Sequence, residues 1–244
     1  SIADLSALVG GGGGSQTWQQ SLDVGATFNK SNNIAQARYP FTMDGQVINK
    51  DTNRAAETGT IIFMGVSTDL GLAGATTFKI NWPRLIAGDL GYLCWNRAHD
   101  GSTFIQYSGG DSSFQSKLPY IPNWDPSIRY IIIGNYEINE AVHGTDSTTL
   151  SAAVKDGIDS LHLNRGFPLD RIIVMNGHKS PAVLAAHSQL PLLATAVKNA
   201  AINKGVRYFD SYNYTLPYPS WNFSDSIHLN EKGQINLALG LIND

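Results

Sequence analysis

The sequence predicts an α/β domain: a three-layer α/β/α sandwich with a five-stranded parallel sheet, preceded by a small irregular or β-rich N-terminal extension. From Gly59 onward, short apolar runs alternate with longer amphipathic segments, and this alternation is typical of βαβ units. The apolar runs are continuous, as in strands that are covered by helices on both faces. With 244 residues, of which 42% are hydrophobic, the chain can bury one core of ordinary size.

The N-terminal extension is predicted to comprise residues 1–58, and the α/β domain residues 59–244. A glycine run at residues 10–14 loses too much entropy on ordering to form a helix or a strand. In the polar stretch that follows, Asp44-Gly45 is a signal for a hairpin turn. Residues 17–26 are similar to segments of phage and prophage tail proteins, and on that resemblance we expect the extension to support a homo-oligomer.

Strands and helices of the α/β domain are predicted in alternation along the chain. The strand candidates are residues 60–64, 92–95, 130–133, 171–175 and 206–209. The helix candidates are about residues 82–90, 147–163, 181–203 and 230–242. Ser147 or Thr148 is an N-cap for the second helix, whereas Ser180-Pro181 opens the third, which ends at Gly205.

Composition argues against several classes of partner. The net charge is −3 without a long basic run, so nucleic acid is not expected as a partner. No apolar window approaches the ~18 residues of a membrane span. Cys94 is the single cysteine, which rules out an intramolecular disulfide and a cysteine-based metal cluster. His162, His178 and His187 lack the spacing of a ligand set, so we predict neither a metal nor a cofactor.

The first predicted strand delivers a serine to the carboxyl edge of the sheet. Its apolar residues run directly into Gly65-Val66-Ser67. Ligands of open α/β sheets bind at this edge. A serine at such a position is either a cap for the next helix or a nucleophile, and its partners elsewhere in the chain decide between the two.

A carboxylate and a histidine stand three residues apart near the C-terminus. Asp225 can accept a hydrogen bond from one ring nitrogen of His228, which leaves the other nitrogen as a base. The pair precedes the last predicted helix, a position that also suits a surface turn with a helix-capping aspartate. Two further polar segments follow predicted strands: residues 96–103, and Gly134-Asn135.

Together these segments resemble the SGNH (GDSL-like) hydrolase family over about 180 residues. Their order and spacing agree with that family, since Gly101 follows Ser67 by 34 residues and Asn135 follows Gly101 by 34. The resemblance implies a flavodoxin-like sandwich and a serine esterase. By resemblance, Ser67 is the nucleophile, and Asp225 and His228 complete a catalytic triad. The N–H groups of Ser67 and Gly101 and the amide of Asn135 form the oxyanion hole.

Two departures from the family pattern bear on the site. The aspartate that usually precedes the serine is Val66 here, which leaves the support of the serine loop unexplained. Asn135 is followed by Tyr136 and not by an acidic residue, so Asn139 stays as an outside alternative for the amide donor.

A second serine matches the family string more literally. Residues 109–112 end in Gly-Asp-Ser, which makes Ser112 a rival nucleophile. No buried strand precedes it, and choosing it would leave the strand at 60–64 without a function. We therefore favour Ser67 and interpret residues 109–113 as a loop.

The substrate is the least determined part of the sequence interpretation. His99, Tyr136 and Trp221 are candidates for the pocket wall, although the aromatic segment around Trp221 is equally a packed loop. We expect esters with small acyl groups, with acetylated carbohydrate as the first candidate. A short-chain lipid esterase or thioesterase and a non-catalytic carbohydrate-binding or structural module are the alternatives. The chain begins at Ser1 and not at methionine, as expected of a processed or trimmed product. The sequence does not fix the compartment, and we expect a secreted, periplasmic or phage-tail-associated location in preference to the cytoplasm.

Overall fold

A computed structural model describes residues 41–43, 46–48, 59–73, 76–77, 81–107, 112–215, 223, 225 and 227–243. Its strands are β1 (Phe41–Met43), β2 (Gln46–Ile48), β3 (Thr60–Met64), β4 (Leu72–Ala73), β5 (Thr76–Thr77), β6 (Leu93–Asn96), β7 (Ile128–Gly134), β8 (Ile172–Met175) and β9 (Arg207–Phe209). Its helices are α1 (Ser67–Leu70), α2 (Trp82–Leu90), α3 (Phe114–Lys117), α4 (Glu137–Val142), α5 (Ser147–Asp159), α6 (Pro181–Ala186), α7 (Leu190–Asn203), α8 (Ser211–Tyr214) and α9 (Glu231–Asn243).

Five strands form one parallel sheet, in the order β6-β3-β7-β8-β9. The predicted fold class is therefore confirmed. The first strand of this sheet in the chain, β3, lies between the second, β6, and the third, β7. The strand order reverses at this point, and in doubly wound sheets ligands bind in the crevice beyond the carboxyl ends of the two strands that flank it.

Two hydrophobic cores cover the two faces of the sheet. Alternate strand residues point to opposite faces, so Ile62 and Ile131 lie in one core with Leu150 of α5 and Leu193 of α7. In the opposite core, helices α2 and α9 pack against the other face of the sheet. The strands contribute Ile61, Phe63 and Ile132, helix α2 contributes Trp82 and Leu85, and helix α9 contributes Leu237 and Ala238. This arrangement explains why the strand sequences are apolar throughout, since both faces are buried.

Two predicted helices differ from the structure. The segment predicted as one helix, 181–203, forms α6 and α7, which are separated at residues 187–189. Pro191 lies in the first turn of α7 and cannot donate a backbone hydrogen bond, so a continuous helix is broken before it. The segment predicted as 147–163 is helical to Asp159 and then forms a π-turn at Ser160–Asn164.

Part of the predicted N-terminal extension falls within the described residues. Strands β1 and β2 pair antiparallel with Met43 opposite Gln46. The turn signal at Asp44-Gly45 lies outside the described residues. The glycine run and the tail-like segment lie outside the described residues, and the boundary at residue 58 stays a prediction. In the part of the chain that the structure describes, no helix is long and apolar enough to cross a membrane.

Candidate active site

Ser67 lies at the carboxyl edge of the sheet, beside the point where the strand order reverses. Strand β3 ends at Met64, and the chain turns through Gly65 and Val66 into the short helix α1, of which Ser67 is the first residue. The serine residue is largely buried, with 7% of its surface exposed. This is the position that the sequence predicts for it.

A chain of hydrogen bonds joins Ser67, His228 and Asp225. His228 Nε2 lies 2.9 Å from Ser67 Oγ, and His228 Nδ1 lies 2.7 Å from Asp225 Oδ2. Asp225 Oδ1 also accepts the backbone N–H of Ile227 at 3.1 Å and that of His228 at 2.7 Å. Partial burial acts to raise the pKa of Asp225, but these hydrogen bonds outweigh it and hold the pKa below its ordinary value. An ionised carboxylate thus faces Nδ1, and Nε2 is oriented to accept the hydroxyl proton.

A second histidine, His178, is hydrogen-bonded to the loop that carries His228. His178 is fully buried after β8, and its Nε2 lies 2.8 Å from the carbonyl oxygen of Ile227. Since a carbonyl only accepts, Nε2 carries the proton. Burial lowers the pKa of His178 to about 4, so the ring is neutral around pH 7. No local sequence pattern predicts this role of His178, because its partner Ile227 is distant in the chain.

Asn135 follows β7 and adopts a strained backbone. Its φ is +65°, a left-handed conformation that is uncommon outside glycine and clusters at functional sites. The residue is fully buried, and its Nδ2 donates to Asp69 Oδ1. The alternative donor, Asn139, lies within α4 and donates to the carbonyl of Ser102 at 2.7 Å. Asn135 is therefore the asparagine that the structure brings to the carboxyl end of the central strand.

Gly101 lies in the loop after β6, which runs beside the serine turn. The backbone N–H of His99 donates to the carbonyl of Gly65 at 3.1 Å, and that of Arg97 to the carbonyl of Phe63 at 2.8 Å. Gly101 has a φ of +65°, which disfavours any side chain, and no described atom lies within 4 Å of the place of a Cβ. The loop is thus tied to the serine turn while Gly101 stays open to solvent.

Asp69 is a buried carboxylate of the site that the sequence analysis missed. It is 1% exposed, and it accepts hydrogen bonds from the backbone N–H of Val66 and the indole N–H of Trp82, each at 2.7 Å, and from Asn135. Burial raises its pKa to about 7. Its position two residues after Ser67, inside a buried turn, was the available signal.

The last helix, α9, is hydrogen-bonded to the turn that carries Ser67. Gln234 of α9 is 1% exposed and donates from Nε2 to the carbonyl of Thr68 at 2.9 Å. Its Oε1 accepts the backbone N–H of Trp82 at 3.1 Å. One side chain therefore connects α9 to both α1 and the start of α2.

The other sequence candidates occupy different surroundings. His99 is exposed beside Gly101, and its Nδ1 is bonded to the carbonyl of Asp100. Tyr136 was expected at the pocket wall, but it is 2% exposed and packs in the core against the rings of Phe104 and Phe114. The carbonyl of Ser112, the rival nucleophile, accepts a bond from Ser102, whereas His228 contacts Ser67. Trp221 lies outside the described residues.

Solved structures of known proteins are similar to this chain in fold. No protein-family model and no curated protein matches the sequence. A lipase/acylhydrolase from Enterococcus faecalis is similar in structure, with 13% identity, a TM-score of 0.58 and coverage of 76% of this chain and 94% of that chain. A member of the lipolytic G-D-S-L family from Veillonella parvula has 16% identity, a TM-score of 0.59 and coverage of 75% and 96%. A psychrotrophic esterase from Pseudoalteromonas sp. has 12% identity, a TM-score of 0.54 and coverage of 76% and 95%. The chain therefore has the fold of the G-D-S-L (SGNH) hydrolases, as its motifs predicted.

Proposed function

We propose that the protein is a serine esterase that hydrolyses carboxylic esters through an acyl-Ser67 intermediate. The observation that carries this proposal is the hydrogen-bonded chain from Ser67 Oγ through His228 to Asp225. Such a chain supplies what a hydroxyl nucleophile needs: a base within reach and a group that orients the base. The names of the structural relatives, which include a lipase/acylhydrolase and an esterase, support an ester as the substrate.

The reaction follows from the placement of these groups. Ser67 Oγ attacks the ester carbonyl carbon while its proton passes to His228 Nε2, and Asp225 stabilises the resulting imidazolium. The carbonyl oxygen becomes an oxyanion, which the N–H groups of Ser67 and Gly101 and the amide of Asn135 stabilise. Collapse releases the alcohol, which takes the proton from His228. Water then attacks the acyl-enzyme with His228 as base, which frees the acid and restores Ser67.

A small acyl group on a polar alcohol, such as an acetylated carbohydrate, is the proposed substrate. Arg97, His99 and Asp100 are exposed on the loop that carries Gly101, and they offer hydrogen-bonding groups suited to sugar hydroxyls. A short-chain lipid ester or thioester is the second candidate, because Ile227 beside His228 is 37% exposed and offers an apolar contact. A binding module without catalysis would have no use for the Ser67–His228 hydrogen bond.

Hydrolysis of p-nitrophenyl acetate by the wild type, Ser67→Ala and Ser112→Ala tests the proposal. We expect Ser67→Ala to lower kcat by more than about 10³-fold, since removal of a triad nucleophile has effects of this order or larger. Ser112→Ala is the matched control and should keep wild-type kcat. Activity that survives in Ser67→Ala would overturn the assignment, and an inactive wild type would favour the binding module. Acetylated oligosaccharides compared with acyl chains of increasing length would then identify the substrate class.

A further inference from the structure

We propose that Asp69 is a positioning residue of this site, which holds the amide of Asn135 and the turn before Ser67 in the geometry that stabilises the oxyanion. The inference rests on the proposed ester hydrolysis. It also assigns the support that the family pattern would place at position 66, where this chain has Val66. The side chain of Val66 is 2% exposed and belongs to the hydrophobic core, so it cannot provide that support.

The geometry places Asp69 at the junction of three segments. Oδ2 accepts the N–H of Val66, one residue before the serine, and Oδ1 accepts both the indole N–H of Trp82 and the Nδ2 of Asn135. The Asn135 amide has two N–H groups, so the bond to Asp69 fixes the amide plane and leaves the second N–H for an oxyanion. The carboxylate thereby sets the distance between a donor after β7 and the nucleophile after β3.

The local sequence allows a carboxylate at position 69 to act in this way. Val66 is the N-cap of α1 and Asp69 is its third residue, and a side chain at this place can reach back to the N–H of the N-cap residue. The contact therefore stands in for the N-terminal hydrogen bonds that a four-residue helix lacks. Asp69, at the third helical position, therefore supports the serine turn in place of a residue before the serine.

Gly65 provides an independent sign that the carboxylate belongs to the site. A Cβ on Gly65 would lie 1.7 Å from Asp69 Oδ2 and 2.5 Å from its Cγ. The turn therefore needs glycine because the Asp69 carboxylate occupies the space of a side chain, and not because of a left-handed backbone. The glycine of the serine motif and Asp69 form one packed unit.

The charge of Asp69 gives the proposal a measurable signature. Burial raises the pKa of Asp69 to about 7. The titratable groups that sense its charge are Tyr136 and Glu137, both on the segment after β7. Protonation turns one acceptor oxygen into a hydroxyl, which weakens the hold on Asn135 or on Val66. Activity should thus fall toward acid pH as Asp69 gains a proton.

The decisive variant is Asp69→Asn, with Asp210→Asn as its matched control. Asn at 69 keeps the shape but offers a single acceptor oxygen for three donors. We expect kcat on p-nitrophenyl acetate to fall about 10²-fold, the order of one lost oxyanion donor, with KM within about threefold. The acid limb of the kcat–pH profile should lose one ionisation. Asp210 caps α8 and accepts from Asn176, so Asp210→Asn should keep both kcat and the profile.

Nuclear magnetic resonance provides a readout that does not need turnover. In the wild type, the chemical shifts of the Trp82 indole N–H and of the Asn135 side-chain amide should change together with pH as Asp69 titrates. Both pH dependences should be lost in Asp69→Asn. A kcat within threefold of the wild type, or an unchanged acid limb, would overturn the proposal. If Asp69→Asn fails to fold, the wild-type titration decides: an Asn135 amide that does not respond overturns it. An inactive wild type would refute ester hydrolysis, while these signals would still judge the positioning of Asn135 by Asp69.

Discussion

Replacement of Gly65 by alanine should destabilise the fold through Asp69. The new Cβ would lie 1.7 Å from Asp69 Oδ2, so the carboxylate must leave its place. Leaving breaks at least two of its three hydrogen bonds, and a hydrogen bond to a charged group contributes about 1.5–3 kcal/mol. Gly65→Ala should therefore lower the free energy of unfolding by about 3–6 kcal/mol. For a chain of this size the corresponding loss in Tm is roughly 6–24 °C.

A double-mutant cycle with Asp69→Ala isolates this cause. In the Asp69→Ala background, Gly65→Ala should cost about 1 kcal/mol or less, because only the Cβ of residue 69 remains close, at 3.0 Å. Gly134→Ala is the control, since its Cβ would instead meet Met175 Cγ at 2.2 Å, and its cost should add to that of Asp69→Ala. Urea unfolding at pH 8 measures all of these values. Additivity of Gly65→Ala and Asp69→Ala within about 0.5 kcal/mol would refute the reasoning.

Three further predictions concern pH, the catalytic loop and assembly. Burial raises the pKa of Glu137 to about 8, so its contribution to stability is full below 4.5 and is lost as pH rises toward 8. Urea unfolding should show stability falling from pH 6.5 to 8, and a smaller fall in Glu137→Gln; an equal fall would exclude this carboxyl as a cause. His178→Phe frees the carbonyl of Ile227 and should lower kcat about tenfold with little change in KM, whereas an unchanged kcat would show that the loop is held by other contacts. Deletion of residues 1–50 should reduce the solution mass to that of a monomer, and an unchanged mass would end the oligomer hypothesis.

The fold could be predicted because its signals are local. Each strand of the parallel sheet is a short apolar run, and both faces of the sheet are buried, so the runs appear in the sequence without interruption. Ser67, Gly101 and Asn135 each follow such a run, and the rule that ligands bind at the carboxyl edge brings them together without knowledge of any contact. Boundaries were less certain, as the break before Pro191 shows.

The contacts of the supporting residues could not be predicted because their partners are distant in the chain. Asp69 is bonded to Trp82 and to Asn135, which lies 66 residues further on, and no local pattern marks such a pair. His178 and Ile227 are separated by 49 residues in the same way. Tyr136 follows the end of a strand, which suggested a pocket wall, yet the chain there turns its ring into the core.

During synthesis, the candidate active site can be completed only after the last helix, which carries Gln234, has been made. Ser67 and His228 are 161 residues apart, and the histidine leaves the ribosome after every strand of the sheet. At about 5–20 residues per second, the serine exists for roughly 8–30 s before its base has been made. Docking of α9, which follows the His228 loop directly in the chain, then connects Gln234 to Thr68 and Trp82. A nascent chain should thus be inert toward esters until its final helix docks, and in refolding experiments esterase activity should return with the last kinetic phase, after the sheet has formed.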